Sequence, residues 1–112
     1  MAIPDTDLAR ASRWCERRIP AQYRAGLRLE LEVAGQAITI VERRPPWRPD
    51  LHREWSRSPV ARLRYNATTR RWTLYWRDRN QRFHRYDLHP LSARLEDLLA
   101  EIDRDPTGIF WG

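Results

Sequence analysis

The chain has 112 residues, 41% of them hydrophobic and 32% charged, and this length fits one compact domain, residues 1–112, with its own hydrophobic core. All 21 positive residues are Arg, against 15 acidic residues, so the net charge is +6 and Lys is absent. The absence of Lys excludes Schiff-base enzymes and Lys-dependent phosphate-binding loops, and no stretch approaches the roughly 20 apolar residues that span a bilayer.

Cysteine usage and the first residues predict the compartment. Cys15 is the only cysteine, so no disulfide can form within the chain. The first 14 residues contain no apolar stretch typical of a signal peptide. We therefore expect a cytoplasmic protein with no membrane partner.

The first predicted element is an amphipathic helix over residues 6–19. Asp5 or Thr6 is the expected N-cap, and Pro20 ends the pattern. Four apolar residues recur at helical spacing: Leu8, Ala11, Cys15 and Ile19. We expect this helix to place one apolar stripe on the core.

A β-hairpin is predicted over residues 27–42. The stretch LRLELEV alternates strictly between apolar and charged residues, and AITIVER returns as the partner strand after a tight turn at Ala34–Gln36. Residues 43–59 follow as a loop, because four prolines in RRPPWRPDLHREWSRSP are incompatible with regular structure.

Three more strands are predicted over residues 60–88. A four-residue loop at 66–69 pairs Leu63 with Trp72, and a three-residue loop at 78–80 pairs Leu74 with His84. One face of these strands then collects the apolar side chains Ala61, Leu63, Tyr65, Trp72, Leu74, Trp76, Tyr86 and Leu88.

A second helix, predicted over residues 92–104, completes the fold. Ser92 is its expected N-cap. Its apolar stripe comprises Leu91, Leu95, Leu98, Leu99 and Ile102. The element order predicts an α+β fold: an N-terminal helix, a five-stranded antiparallel meander and a C-terminal helix, with both helices on one face of the sheet.

The last eight residues, DPTGIFWG, combine a turn signal with three large apolar side chains. One interpretation is that this apolar tail, residues 105–112, folds back and packs on the core, where its burial would stabilise the domain. The alternative is an exposed ligand for a partner protein.

Four stretches carry a resemblance to a known family: RPPW at 44–47, PVARLRYN at 59–66, RRWTLYWRDRNQRFHRYD at 70–87 and DPTGIFWG at 105–112. They resemble a family of short bacterial proteins described only as domain of unknown function 3024. The resemblance implies that the tail belongs to the domain, and it supplies no activity, cofactor or catalytic residue.

The opposite face of the predicted sheet concentrates positive charge, because residues 43–86 hold 13 Arg and only three acids. The candidate residues for binding nucleic acid or another anion are Arg62, Arg64, Arg71, Tyr75, Arg77, Phe83 and Arg85. The predicted register sets Arg64 opposite Arg71, and it places Tyr75 beside Phe83. The two aromatic rings would form a stacking platform for bases beside a phosphate-binding cluster.

Two other interpretations of these arginines stand beside this one. Water, salt and acids on neighbouring strands, such as Glu30, Glu32 and Glu42, would neutralise the cluster. A uniform use of Arg in place of Lys is also typical of a codon bias in the source genome, with no recognition role.

The Pro-rich loop is a second candidate binding site. Trp47, His52 and Trp55 lie among arginines and would form an aromatic and basic lip for a protein partner. The alternative is that both tryptophans anchor the loop on the domain.

Catalysis and metal binding find little support in the sequence. Cys15 and the three histidines lack metal-ligand spacing, so no metal or cofactor is expected. A metal-free ribonuclease would use His84 and Tyr86, but the predicted register turns both toward the core. We expect a binding protein, not an enzyme, whose partner is nucleic acid or an acidic protein; the alternative is a protein-interaction module.

Overall fold

The computed structural model describes residues 2–48, 50–51, 53–89 and 91–111. Its helices and strands are α1 (Asp5–Arg18), β1 (Arg28–Ala34), β2 (Ala37–Arg43), β3 (Ser58–Asn66), β4 (Arg71–Arg77), β5 (Phe83–Arg85), β6 (Leu91–Ser92) and α2 (Leu95–Arg104). The sheet is antiparallel in the order β1-β2-β3-β4-β5, and β6 pairs with the other end of β4. Both helices pack on one face, so the predicted α+β fold is confirmed. None of the helices in the described ranges is long and apolar enough to cross a membrane.

Helix α1 starts without a side-chain cap. Its N-cap is Pro4, whose φ of −57° already suits a helix start, so the predicted caps Asp5 and Thr6 lie inside the helix. Asp7 in the first turn instead accepts a hydrogen bond from the indole Nε1 of Trp72 at 3.2 Å. The helix thereby satisfies the polar atom of the largest fully buried side chain in the core.

The predicted hairpin of β1 and β2 is present. Its two-residue turn is Gly35–Gln36, and Gly35 takes the left-handed φ of +57° that such a turn requires. The register pairs Ala34 with Ala37 and continues without interruption to Arg28 and Arg43. The apolar side chains of β1 therefore face the helices, and its charged side chains face the opposite side.

The Pro-rich loop occupies residues 44–57, and its described residues form neither helix nor strand. The loop is closed at its base, because the Ser56 N–H donates to the Arg44 carbonyl oxygen at 2.8 Å. A bulge at Ile40/Val41 follows where β3 begins, and both Val60 and Ala61 join the core there.

The two turns that flank β4 lie one residue later than predicted. Asn66 pairs with Arg71, and the Asp78 N–H donates to the Arg82 carbonyl oxygen at 2.8 Å, so the turns are residues 67–70 and 79–81. The Asn66 Oδ1 accepts hydrogen bonds from two N–H groups of the first turn, and Asp78 Oδ1 accepts them from the N–H groups of Asn80 in the second turn and Arg82 directly after it. Each side chain closes the turn from the last paired position of its strand, which the prediction had placed in the loop.

The register therefore differs from the predicted one. Leu63 lies opposite Leu74 instead of Trp72, and His84 lies opposite Trp76 instead of Leu74. The offset is two residues, an even number, so the side chains of β3 and β4 keep their predicted faces. Leu88 is a correction: it was expected in the core but is 64% exposed, because β5 ends at Arg85.

Helix α2 begins at Leu95, three residues later than predicted. Leu91 and Ser92 instead pair with β4 as a sixth strand that the prediction of five strands lacks. The N-cap is Arg94, so the prediction of Ser92 as the N-cap is wrong. The Ser92 hydroxyl lies before the helix, where it donates to Asp97 Oδ2 at 2.9 Å and accepts from the Arg94 N–H at 3.1 Å. Of the predicted apolar stripe, the residues from Leu95 to Ile102 are buried as expected, whereas Leu91 is 37% exposed.

Asp105 fastens the last residues to α2. It ends the helix with a left-handed φ of 42°, and its carboxylate accepts the N–H groups of Phe110 and Trp111, each at 3.0 Å. Trp111 Nε1 also donates to the Ile102 carbonyl oxygen at 2.8 Å. Phe110 is 8% exposed, and its ring lies 5.1 Å from that of Tyr86. Ile109, Phe110 and Trp111 are thus packed on the core.

Candidate anion-binding site

The sheet face opposite the helices carries the predicted cluster, which we call the arginine face: Arg62, Arg64, Arg71, Tyr75, Arg77, Phe83 and Arg85. One row crosses three strands and sets Arg62, Tyr75 and Arg85 side by side. The other pairs on this face are Arg64–Thr73, Asn66–Arg71 and Arg77–Phe83. The seven residues share one surface because alternation along β3, β4 and β5 turns them all to the same side.

Two predicted contacts on the arginine face are wrong. Arg64 does not lie opposite Arg71, and Tyr75 does not lie opposite Phe83, because both turns are offset by one residue. Arg85 takes the place beside Tyr75. The face therefore lacks both the predicted like-charge pair and the predicted pair of aromatic rings.

Arg62 is the anchored member of the arginine face. Its Nε donates to Thr39 Oγ1 at 3.0 Å, and its guanidinium carbon lies 4.0 Å from the centre of the Phe83 ring. Arg62 thus spans from β2 to β5 and covers one side of the Phe83 ring. Thr39 is missing from the predicted site, although the alternation in AITIVER places it on this face between two inward-facing isoleucines.

The acids of β1 and β2 pair with arginines outside the arginine face. The pairs are Glu30–Arg43, Glu32–Arg57 and Glu42–Arg44. Two hydrogen bonds from Arg57 reach Glu32, and they hold the pKa of that carboxyl below its usual value. The predicted neutralisation of the arginine face by these three acids is therefore absent at contact distance.

All five arginines of the arginine face lack a carboxylate partner in the described chain, and four of them also lack a side-chain hydrogen bond such as the one that holds Arg62. In the part of the chain that the structure describes, no carboxylate oxygen lies within 4.0 Å of Arg64, Arg71, Arg77 or Arg85. Arg71 and Arg77 are six residues apart on β4, which is about 20 Å in an extended strand. The positive charge is therefore spread along a strand and does not converge on a single small anion.

The Pro-rich loop covers the other half of the same sheet face. Arg57 reaches from the loop across β2 to Glu32 on β1, and Trp55 lies beside Arg28 of β1, with the guanidinium 4.2 Å from its ring. Val41 faces this side of β2 and is fully buried, although both helices lie on the other side. The open part of the face is therefore limited to β3, β4 and β5.

Comparison with known families adds one finding. A family model described as domain of unknown function (DUF3024) matches residues 2–112. The chain belongs to the DUF3024 family. Neither the curated proteins nor the solved structures give a match to it. The resemblance seen in the sequence is confirmed, and the description of DUF3024 assigns no activity.

The loop site of this DUF3024 domain divides into two environments. Trp55 is half-buried against Arg28 and anchors the loop. Trp47 is 85% exposed, with the Arg48 guanidinium 5.7 Å from its ring. The third predicted member, His52, lies outside the described residues. Of the described members, only Trp47 presents its ring to solvent.

His84 and Tyr86 of the DUF3024 domain have separate partners. His84, expected in the core, is exposed because β5 is an edge strand, and its Nε2 lies 2.7 Å from Asp78 Oδ2. The Tyr86 hydroxyl donates to Glu101 Oε2 at 2.8 Å in the core, where burial raises the pKa of Tyr86 to about 12. Over the described ranges, no cluster of three or more His, Cys, Asp or Glu residues is placed to hold a metal ion.

Proposed function

We propose that the arginine face binds an extended polyanion and that this ligand is single-stranded nucleic acid. The observation that carries the proposal is the uneven pairing of charge. The acids of β1 and β2 are held by Arg43, Arg44 and Arg57, whereas the five arginines of the arginine face have no carboxylate within 4.0 Å in the described chain. A ligand that brings its own negative charges would supply what this surface lacks.

The chemistry of the face favours phosphates. Guanidinium groups bind phosphate oxygens through two parallel hydrogen bonds. Arg71 and Arg77, about 20 Å apart along β4, would contact phosphates at separate positions of an extended polymer. Tyr75 lies in the row between Arg62 and Arg85 and offers an aromatic ring next to them. An open antiparallel sheet with aromatic and basic side chains is the surface on which sheet-based binders spread single strands.

Binding is also favoured over catalysis by the placement of the reactive side chains. Burial raises the pKa of the Cys15 thiol to about 12, which keeps it from acting as a nucleophile. The Tyr86 hydroxyl is engaged in the core, and exposed His84 has a turn residue, Asp78, as its partner. These groups do not converge on the arginine face.

The first test is a titration of nuclease-treated protein with fluorescently labelled random single-stranded RNA, followed by anisotropy at several salt concentrations. If Arg64, Arg71, Arg77 and Arg85 each neutralise one phosphate, the logarithm of the binding constant falls with the logarithm of the salt concentration. The expected slope is about −3, at roughly −0.7 for each phosphate. No binding at low salt contradicts the proposal. Equal affinity for polyglutamate would replace nucleic acid by an acidic protein as the partner.

A charge-matched pair of variants locates the site. Arg64→Glu with Arg71→Glu changes two exposed members of the arginine face. We expect the slope of log binding constant against log salt to become less negative by about 1.4, because two phosphate contacts disappear. Arg13→Glu with Arg17→Glu makes the same change in net charge on the exposed side of α1 and should bind more strongly than the first variant. Equal loss in both variants would mean that only overall charge matters.

A further inference from the structure

Strand β1 is a free edge of the sheet, and its outward hydrogen-bonding groups can be assigned. The Gln36 carbonyl accepts the Tyr65 N–H at 2.8 Å, so even-numbered residues at this end of β2 bond to β3 and odd-numbered residues bond to β1. Because Ala34 pairs with Ala37, the even-numbered residues of β1 bond to β2. The N–H and C=O groups of Leu29, Leu31 and Val33 therefore point away from the sheet.

This edge is unlike the other one. In the described part of the chain, none of these six groups bonds to another backbone group. β1 has seven residues without Pro or a bulge, whereas β5 and β6 at the opposite edge have three and two. A long regular edge with free backbone groups is a template for another strand.

A groove between β1 and α1 runs along the same edge. One part, about 360 Å³, is lined on α1 by Ser12, Cys15 and Glu16 and on β1 by residues 29–31. A second part, about 150 Å³, continues past Cys15 to Ile19. The apolar wall of this groove would receive the apolar side chains of an added strand, since those side chains alternate toward the helix face.

We propose that the edge binds the β1 strand of a second copy of this chain, in an antiparallel and two-fold symmetric pair. β1 is itself an extended segment with apolar residues at every second position and free groups at those residues, so it is complementary to its own edge. The inference does not depend on the proposed function, because it concerns a different surface.

The charges of β1 select one register. Five alignments bring outward groups of β1 together, with the two-fold axis at Leu29, Glu30, Leu31, Glu32 or Val33. An axis at Leu31 sets Glu30 opposite Glu32 of the partner subunit. An axis at Glu30 sets Arg28 opposite Glu32 of the partner subunit but also sets two Glu30 side chains opposite each other. An axis at Glu32 sets two Glu32 side chains opposite each other, and an axis at Val33 forms no pair of opposite charges. Only the axis at Leu29 forms opposite-charge pairs without a like-charge pair beside them, because it places Arg28 opposite Glu30 of the partner subunit, twice by symmetry. Opposite charges in directly facing positions stabilise a strand pair, and like charges destabilise it.

Arg28 keeps hydrogen-bond donors for this contact, although its guanidinium also lies 4.2 Å from the Trp55 ring. In the described chain only its Nε donates a hydrogen bond, to the Arg24 carbonyl oxygen at 3.1 Å, so its two terminal nitrogens remain for a carboxylate. Glu30 is exposed and has one contact with Arg43. The same register brings Leu27 opposite Leu31 of the partner subunit, on the side of the groove.

The test is the mass of the full chain in solution from micromolar to millimolar concentration, measured by sedimentation. We expect a concentration-dependent dimer of the 13.5 kDa chain. Glu30→Arg should shift it to monomer, because Arg then faces Arg28 of the partner subunit. Arg28→Glu combined with Glu30→Arg should restore the dimer, since the exchanged charges again face each other. A monomeric wild type overturns the proposal, as does a dimer that Glu30→Arg leaves unchanged.

A backbone variant tests the same pairing without using charge. Leu31→Pro removes an N–H that points outward, so it removes no bond to β2 but blocks the added strand. Leu31→Val keeps the N–H and is the matched control. We expect monomer for Leu31→Pro and dimer for Leu31→Val, with thermal unfolding to establish that both are folded. A dimer in Leu31→Pro would place the interface elsewhere and would overturn the proposal.

Discussion

Asn66, Asp78 and Asp105 end their elements by the same chemistry. Each side chain accepts N–H groups of residues that follow it, and each lies in or before a segment with a left-handed residue: Arg70, Gln81 or Asp105 itself, at φ of 56°, 65° and 42°. These non-glycine residues hold an unfavourable conformation because the side-chain bonds fix the turn around them. Single polar atoms therefore decide where the strands and α2 stop.

We expect Asp105→Ala to destabilise the fold by about 1–3 kcal/mol, because two N–H groups near the core lose their acceptor. Asp105→Asn should cost less, since Asn tolerates the left-handed region and retains one oxygen acceptor. Urea unfolding followed by tryptophan fluorescence measures both values. Equal losses in the two variants would contradict the role given to the carboxylate.

Asp78 makes the stability of the β4–β5 turn depend on pH. Its hydrogen bond with His84, followed by those from the Arg82 and Asn80 N–H groups, lowers the pKa of Asp78. An acid with a lowered folded pKa contributes stability that is complete above its unfolded pKa of about 3.9 and is lost as pH falls through the folded value. We expect Asp78→Asn to be less stable than wild type at neutral pH and to approach it in acid.

Thermal unfolding of both proteins between neutral and acidic pH measures this difference. Asp87→Asn is the control, because Asp87 is exposed and makes no hydrogen bond in the described chain. A gap between wild type and Asp78→Asn that stays constant with pH would show that the charge of Asp78 has no part in the turn.

At the scale of elements, the Pro-rich loop is a cover over half of the sheet face. Trp55 and Arg57 connect the loop to β1, whereas the Trp47 side chain is exposed to solvent. We expect Trp55→Ala to lower the free energy of unfolding by about 1–2 kcal/mol, from lost burial and lost contact with Arg28. Trp47→Ala should stay within about 0.5 kcal/mol of wild type. Chemical denaturation of the two variants makes the comparison, and a larger loss for Trp47 would reverse these assignments.

The elements also show how far the sequence leads. Strict alternation in LRLELEV and in β3 and β4 gives the correct faces, because an inward and an outward residue cannot exchange without burying charge. The predicted turn positions were wrong by one residue. Asn and Asp favour turns both when they lie inside the turn and when they lie directly before it, and Asn66 and Asp78 lie directly before it. The short β6 and the late start of α2 depend on the pairing of Leu91 with Thr73, a contact that no local pattern announces.

Within the candidate site, the members of the arginine face follow from alternation, whereas their partners do not. The same alternation in β2 would have identified Thr39 as a member of this face. The reach of Arg57 to Glu32 depends on the path of an irregular loop, which sequence periodicity does not encode. His84 was predicted to lie in the core because alternation correctly places it on the helix-facing side of β5. Alternation does not show how far the helices extend over this edge strand, where His84 is exposed.

At the scale of the whole molecule, the acids of α2 do not neutralise the arginines of residues 43–86. Glu96 and Asp103 of α2 pair with Arg10 and Arg18 of α1, and Glu101 pairs with Arg104. These pairs lie on the helix side, and the arginine face lies on the other side of the sheet. Charge that is nearly balanced in the helical layer is therefore left positive on one outer surface, where it can orient an approaching polyanion.

The cover formed by Arg57 and Trp55 also sets a direction. It leaves three strands open, a track about 10 Å across β3 to β5 and about 20 Å along β4. A chain of phosphates laid across the strands would run off the track after two strand spacings, whereas one laid along β4 meets Arg71 near one end and Arg77 near the other. The bound nucleic-acid strand would therefore run along β4 and not across the strands of the sheet.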